Sequence, residues 1–267
     1  CRPHRCKPLS ASTIRQVHFL LSGAYKKAVR WRWVTFSPMN QASPPPAPVP
    51  NPQPTTPEQA ARILNEAWND PEWGAFLWLA MTSGARRGEL CAIRWSSITL
   101  EAGRETVWLR HSISREHGEW VETGLKTHQQ RRIALDDETA AILREHRARW
   151  AERFASNGME FNDDGYAFSN VPDATQPPSP DGISQRFDRL VERLKIRTTL
   201  HKLRHYSATE LILAGVDIRT VAGRLGHAGG GTTTLRAYAA WVSEADQRAA
   251  KSVSSRMPVR PTTTRQA

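Results

Sequence analysis

"TLHKLRHYSATELILAGVDIRTVAGRLGH", Thr199 to His227, decides the fold. Leu200, Leu203, Ser207, Leu211 and Ala214 recur at helical spacing and make one stripe for burial. His201 and Arg204, three apart, share the neighbouring face. Gly215 ends this helix and Asp217 caps the next. There Ile218, Val221, Ala222 and Leu225 form the core face before Gly226 stops it. His227 follows directly, held by a helix end. A segment this regular in caps and periodicity belongs to a helical core, and its basic residues fall at fixed places beside that core.

Downstream the chain reads "LGHAGGGTTTLRAYAAW", Leu225 to Trp241. A core tyrosine on the Leu235, Tyr238 and Trp241 stripe needs no preamble of three glycines and three threonines. Upstream, helices are expected over about 72–82, 136–156, 181–195, 200–214 and 217–225, with two more over about 232–241 and 244–254. In the helix that begins at Asp136, Leu143, Trp150 and Phe154 share one side. Thr56-Pro57-Glu58-Gln59 carries an N-cap, a proline in the first turn and a Gln three residues past the cap, so another helix starts there, with Ala60, Ile63, Leu64, Ala67 and Trp68 inward. "SGARRGEL" places a turn at Gly84 and two arginines between packed helices. "ETVWLRHSIS", "EWVETG" and "RRIAL" are short β-rich runs separated by turns. The expected fold is therefore mainly α with a small three-stranded antiparallel sheet, an α+β arrangement.

"SPPPAPVPNPQPTTP" cannot continue a helix and reads as a linker in extended geometry. Ahead of it, residues 11–36 read as one helix with Ile14, Val17, Leu21 and Ala24 on a stripe, and Leu20, Leu21 and Trp31 are expected to be exposed. The domain expectation is a helical remnant over 1–40, the linker over 41–55, a main domain over 56–255 and a disordered tail over 256–267.

Composition narrows the function. Against 26 Asp+Glu there are 37 Lys+Arg, a formal net charge of +11 and a pI near 10.2. Such an excess suits a polyanion, and nucleic acid is the leading partner, because each neutralised phosphate releases condensed counterions. No apolar run approaches the ~18 residues of a membrane span, so no membrane partner is expected and a cytoplasmic location is. Three cysteines make no disulfide framework; Cys91 reads as a buried free thiol, and "CRPHRC" lacks a second ligand pair at zinc spacing.

The helix, AGVD turn, helix arrangement also resembles a helix-turn-helix with "DIRTVAGRL" as recognition helix. That reading makes the protein a DNA-binding regulator without chemistry. Four apolar positions in nine argue that this helix is packed on a core instead.

"SGARRGEL", the Lys in "TGLKTHQQRRIAL", "HKLRH", "LGH" and "TTTLRAY" occur in the order seen in the tyrosine recombinase (phage integrase) family, which the chain resembles over roughly 56–254. Any one of these elements is a weak signal; five in order are a strong one. The resemblance implies an active site of Arg86, Lys126, His201, Arg204, His227 and Tyr238, with no cofactor and no metal. Arg86 rather than Arg87 fits, two residues after Gly84 and ahead of Glu89-Leu90. "HAGGGTTT" is richer in glycine than the commoner form, which bears on mobility.

Each residue type suits its task. Cutting a phosphodiester without a metal requires charge at the non-bridging oxygens, a nucleophile and a proton for the leaving alkoxide. Arg86 and Arg204 present planar forks to those oxygens. His201 and His227 can donate further hydrogen bonds, and His201 can also accept the tyrosine proton. Lys126 can protonate the departing 5′-oxygen. Tyr238 is the nucleophile, a phenol with a resting pKa of about 10 that cationic neighbours help to ionise. The implied activity is site-specific cutting and rejoining of double-stranded DNA through a 3′-phosphotyrosyl link, with self-assembly into a tetramer on DNA. A type IB topoisomerase would share this chemistry. The front of the chain resembles only the last helix of the family's core-binding domain, so a fragment or decayed copy is also expected.

Overall fold

A computed structural model describes residues 8–48, 54–125 and 129–227. The chain divides into two compact units between Asn51 and Pro52, within the proline-rich stretch. "CRPHRC", Lys126, Tyr238, the helices expected over 232–241 and 244–254 and the tail lie outside the described residues.

In the first unit, Ser10 Oγ accepts from the Thr13 N–H at 3.2 Å and starts helix α1, Ala11–Arg30. The helix is shorter than the expected 11–36. Arg32 adopts a left-handed conformation, φ 60°, and Trp33 N–H reaches back to Ala28 O at 2.9 Å, closing the helix end as a glycine would. Among the described residues α1 buries no side chain, and Leu20 is 72% exposed, Leu21 39% and Trp31 55%.

The second unit begins with α2, Pro57–Ala67, whose Thr56 and Gln59 form the expected reciprocal cap at 3.3 and 3.2 Å. It buries Ala60, Ile63 and Ala67, while Leu64 and Trp68 are half-buried against the same core. Helix α3, Pro71–Ser83, is capped by Asp70 and buried nearly all round, from Trp73 through Met81, so it forms the centre of the unit. Gly84 ends it in a left-handed conformation, φ 61°. A short helix α4, Arg87–Cys91, follows. The Cys91 thiol is buried and pushed up to about 12 by that burial, which keeps it protonated and unreactive.

The β region departs from expectation. The first predicted run divides at Arg110 into β2, Thr106–Leu109, and β3, His111–Glu116. Strand β2 lies between a two-residue strand β1, Ile98–Thr99, and β5, Arg131–Ala134, giving an antiparallel sheet ordered β1-β2-β5. Among the described residues, strand β4, Glu119–Gly124, pairs only with β3, as a separate hairpin. The cause is packing. Val107, Leu109 and Ile133 bury into the main core, whereas β3 lies against α4, with Gly88 so close that a side chain there would meet Ile113 O at 2.5 Å. Arg94 donates to Glu122 at 2.7 Å and Tyr166 OH donates to the same carboxylate, fixing the hairpin to the body.

Four helices complete the described fold: α5, Asp137–Ser156; α6, Pro180–Arg193; α7, Leu200–Leu213; and α8, Ile218–Leu225. Leu143, Trp150 and Phe154 of α5 are all buried, as its periodicity predicts. Helix α8 buries Val221, Ala222 and Leu225, and Val221 and Leu225 cluster with Ala208 of α7. Its core face is therefore occupied, as expected of a packed helix rather than a free recognition helix.

Candidate active site

Three helix ends converge in the second unit. The C-terminus of α3 turns at Gly84 and delivers Arg86 just ahead of α4. The first turn of α7 carries His201 and Arg204. The C-terminus of α8 turns at Gly226, left-handed at φ 66°, and delivers His227, whose N–H donates to Ala222 O at 2.9 Å. The three segments are far apart in sequence and meet because α7 packs against α3 on the main core and against α8 in a second, smaller cluster.

Arg204 is buried, 4% exposed, and its fork joins two of these ends: Nη1 donates to Gly84 O and Nη2 to Leu225 O, both at 2.6 Å. Arg86 Nη2 donates to the next carbonyl, Gly226 O, at 3.1 Å. Its Nη1 donates to Glu89 Oε1 at 2.7 Å, and its backbone N–H to Glu89 Oε2 at 2.8 Å. Backbone carbonyls orient a guanidinium without cancelling its charge, whereas the Glu89 carboxylate that also holds Arg86 is shared with Arg131. Arg86, Arg87, Ser184, His201 and Arg204 line one cleft of about 390 Å³. A second groove of about 480 Å³ is lined by residues that include Arg131, Arg132, Arg224 and His227.

Two contributors were not predicted as site residues. Glu89 is 1% exposed and sits between Arg86 and Arg131. Burial alone would raise its carboxyl. The hydrogen bonds and charge of Arg131, then Arg86, outweigh that, so its pKa lies below the ordinary carboxylate value. Arg131 was legible as a basic residue on the inward phase of β5, two residues from buried Ile133.

The histidines respond to the same cations. His227 is pushed down to about 4, first by partial burial and then by Arg204, Arg86 and Arg131. His201 is also lowered, by burial and then by Arg204 and Arg86. Its ring meets His205 edge-on at 4.9 Å. Two guanidiniums, Arg86 and Arg131, share the one buried carboxylate, so with Arg204 beside them the site carries more positive than negative charge, and that excess disfavours the charged form of both histidines. Of the six expected residues, the structure brings together Arg86, His201, Arg204 and His227. Lys126 and Tyr238 are outside the described residues. Among the described residues, no group of three or more His, Cys, Asp and Glu could hold a metal ion, and no helix is long and apolar enough to cross a membrane.

The phage integrase family model matches residues 53–244. The chain belongs to the phage integrase family. A curated relative, a XerC-like tyrosine recombinase of Caldanaerobacter subterraneus subsp. tengcongensis, is 26% identical over 182 residues, covering 64% of this chain and 46% of the relative. This integrase-family chain thus spans about half the length of the curated relative it matches. Among solved structures it resembles the Tn1549 transposon integrase in complex with transposon right end DNA, with a TM-score of 0.71 and 21% identity over 92% of this chain and 80% of that one. A lambda integrase dimer bound to a core site gives 0.57 and 18%, covering 85% and 59%. These likenesses show the fold, that of tyrosine recombinases: mostly helical with small antiparallel sheets.

Proposed function

We propose that the chain is a site-specific recombinase that cuts and rejoins double-stranded DNA through a 3′-phosphotyrosyl intermediate. The observation that carries this is the convergence of Arg86, His201, Arg204 and His227 at the ends of α3, α7 and α8, in a family whose relatives are recombinases. Arg86 and Arg204 bind the non-bridging oxygens of the scissile phosphate, and their charge compensates the extra negative charge of the pentacoordinate transition state. His227 and His201 donate hydrogen bonds to the same oxygens, and His201 accepts the phenolic proton of Tyr238.

Tyr238 Oη then bonds to phosphorus as the bond from phosphorus to the 5′-oxygen breaks, and Lys126 gives that oxygen a proton. The products are a 3′-phosphotyrosyl link and a free 5′-hydroxyl. Because the link conserves the bond energy, attack by a 5′-hydroxyl from the same or another duplex rejoins the strand without ATP. Residues 56–255 act as the catalytic domain, 41–55 as a linker, and 1–40 as part of a helical DNA-clamping domain. Assembly is as a tetramer on DNA, the arrangement named for lambda integrase on a Holliday junction.

The test is covalent capture. The protein is mixed, in EDTA, with a pool of nicked suicide duplexes of randomised sequence, and adducts are isolated under denaturing conditions. Adducts that disappear in Tyr238→Phe while duplex binding persists support the proposal. Adducts undiminished by that substitution would transfer the nucleophile's role to another residue.

A further inference from the structure

Arg131 is outside the six residues of the proposed reaction, yet its side chain is 8% exposed and touches three of the segments that carry them. Toward α4 it makes a bidentate pair with Glu89, Nη2 to Oε2 at 2.7 Å and Nη1 to Oε1 at 3.2 Å. Toward α8 its Nε donates to Arg224 O at 2.7 Å, three residues before His227. Toward its own strand's entry, Nη1 donates to Gln129 O at 3.2 Å, three residues after Lys126. Gly226 lies so close that a Cβ there would fall 2.6 Å from Arg131 Nη1.

One planar cation therefore sits on the far side of Glu89 from Arg86 and behind the turn that delivers His227. The geometry points to Arg131 as a positioning residue for the recombination reaction: through Glu89 it aims Arg86, and through the Arg224 carbonyl it sets the place of His227. This rests on the recombinase reading for the chemistry, while the placement of the two segments stands on the contacts themselves.

The arrangement explains why arginine is needed. Its donors point in three directions in one plane, to a carboxylate, to a helix end and to the strand entry; a lysine supplies the charge with fewer fixed directions. Removing the cation leaves Glu89 buried with Arg86 as its remaining guanidinium partner, which pulls Arg86 toward the carboxylate and away from a phosphate.

The test uses Arg131→Met, Arg131→Lys and the double variant Glu89→Gln/Arg131→Met, the last two guarding against a failure to fold. Hydrogen exchange in DNA-free protein is read at the amides of Gly226 and His227, with Leu203 and Ile133 as core references. Expected is acceleration of at least about tenfold at 226–227 with the references unchanged in all three variants. In single turnover, Arg131→Met should lose on the order of 100-fold in adduct formation. Arg131→Lys should recover roughly tenfold of that, with duplex affinity held within about threefold, since the Arg131 side chain is 8% exposed and engaged with Glu89 and backbone carbonyls.

Acceleration spread equally over the core references would make Arg131 a purely structural residue and overturn the inference, as would unchanged exchange at His227. Adduct loss that Arg131→Lys does not relieve would remove charge from the argument and leave only the fixed directions of the fork. If the unmodified protein forms no adduct, the recombinase reading falls, and the exchange pattern still decides whether Arg131 places the two segments.

Discussion

Arg204 and Arg86 donate to consecutive carbonyls at the end of one helix, Leu225 O at 2.6 Å and Gly226 O at 3.1 Å. The C-terminus of α8 is thus a common fixture for both forks. Helix-end carbonyls carry partial negative charge, enough to orient a cation and too little to neutralise it. What holds the two arginines together against their mutual repulsion is this helix end and the carboxylate of Glu89.

Gly226→Ala should therefore harm the site out of proportion to its size. The residue sits at φ 66°, and a Cβ would fall 2.6 Å from the Arg131 guanidinium. Left-handed strain costs about 1–2 kcal/mol for a residue other than glycine, and displacement of Arg131 adds to it. The expected result is a lower urea midpoint together with a cleavage loss on the order of 100-fold. Wild-type cleavage in the variant would show that the α8 end does not set the arginines.

Arg204→Lys preserves charge and tests geometry. A lysine can reach Gly84 O or Leu225 O and has no fork to span both while still meeting a phosphate. Single-turnover cleavage is expected to fall on the order of 100-fold. Near-normal cleavage would reduce Arg204 to a point charge.

The helices were legible because their signals are local. Asp136 and Asp217 cap α5 and α8, and Gly226 closes α8, all within a few residues of the periodic runs they bound. Long-range pairing was not. "ETVWLRHSIS" reads as one strand, and only the burial of Val107 and Leu109 in one place and Ile113 in another divides it at Arg110. The end of α1 was missed because Arg32, not a glycine, takes the left-handed position. For the candidate site, the family resemblance singled out Arg86, His201, Arg204 and His227, which the fold gathers, but Glu89 and Arg131 are 42 residues apart and reveal their partnership only in space.

A pH dependence of stability follows from His146. It is fully buried, its Nε2 lies 2.7 Å from Ala167 O, its ring stacks on Phe168, and burial pushes its pKa down to about 4. The unfolded chain takes this proton near pH 6.5 and the folded chain only near 4. The contribution is therefore complete above pH 6.5 and is lost progressively as pH falls toward 4, by about 2 kcal/mol at pH 5. Urea midpoints at pH 7.5 and 5.0 should differ more for the native protein than for His146→Gln, whose amide can still donate to Ala167 O. Equal pH slopes would place the titration elsewhere.

The last prediction separates the proposed general acid from the phosphate clamps. If Lys126 protonates the 5′-oxygen, Lys126→Ala cleaves poorly, because an alkoxide leaves badly without a proton. A substrate with sulfur at the bridging 5′ position should restore much of that rate, since a thiolate, with a pKa near about 8.5, leaves unaided. Arg86→Ala and Arg204→Ala should gain far less from sulfur, because their charge acts on the non-bridging oxygens whatever the leaving group is. Single-turnover rates at saturating protein keep weak binding from passing as slow chemistry. Equal rescue of all three variants would remove Lys126 from the acid's role. Absence of rescue in Lys126→Ala would leave it a DNA-binding residue, and the proton for the 5′-oxygen would then have to come from one of the histidines gathered at the ends of α7 and α8.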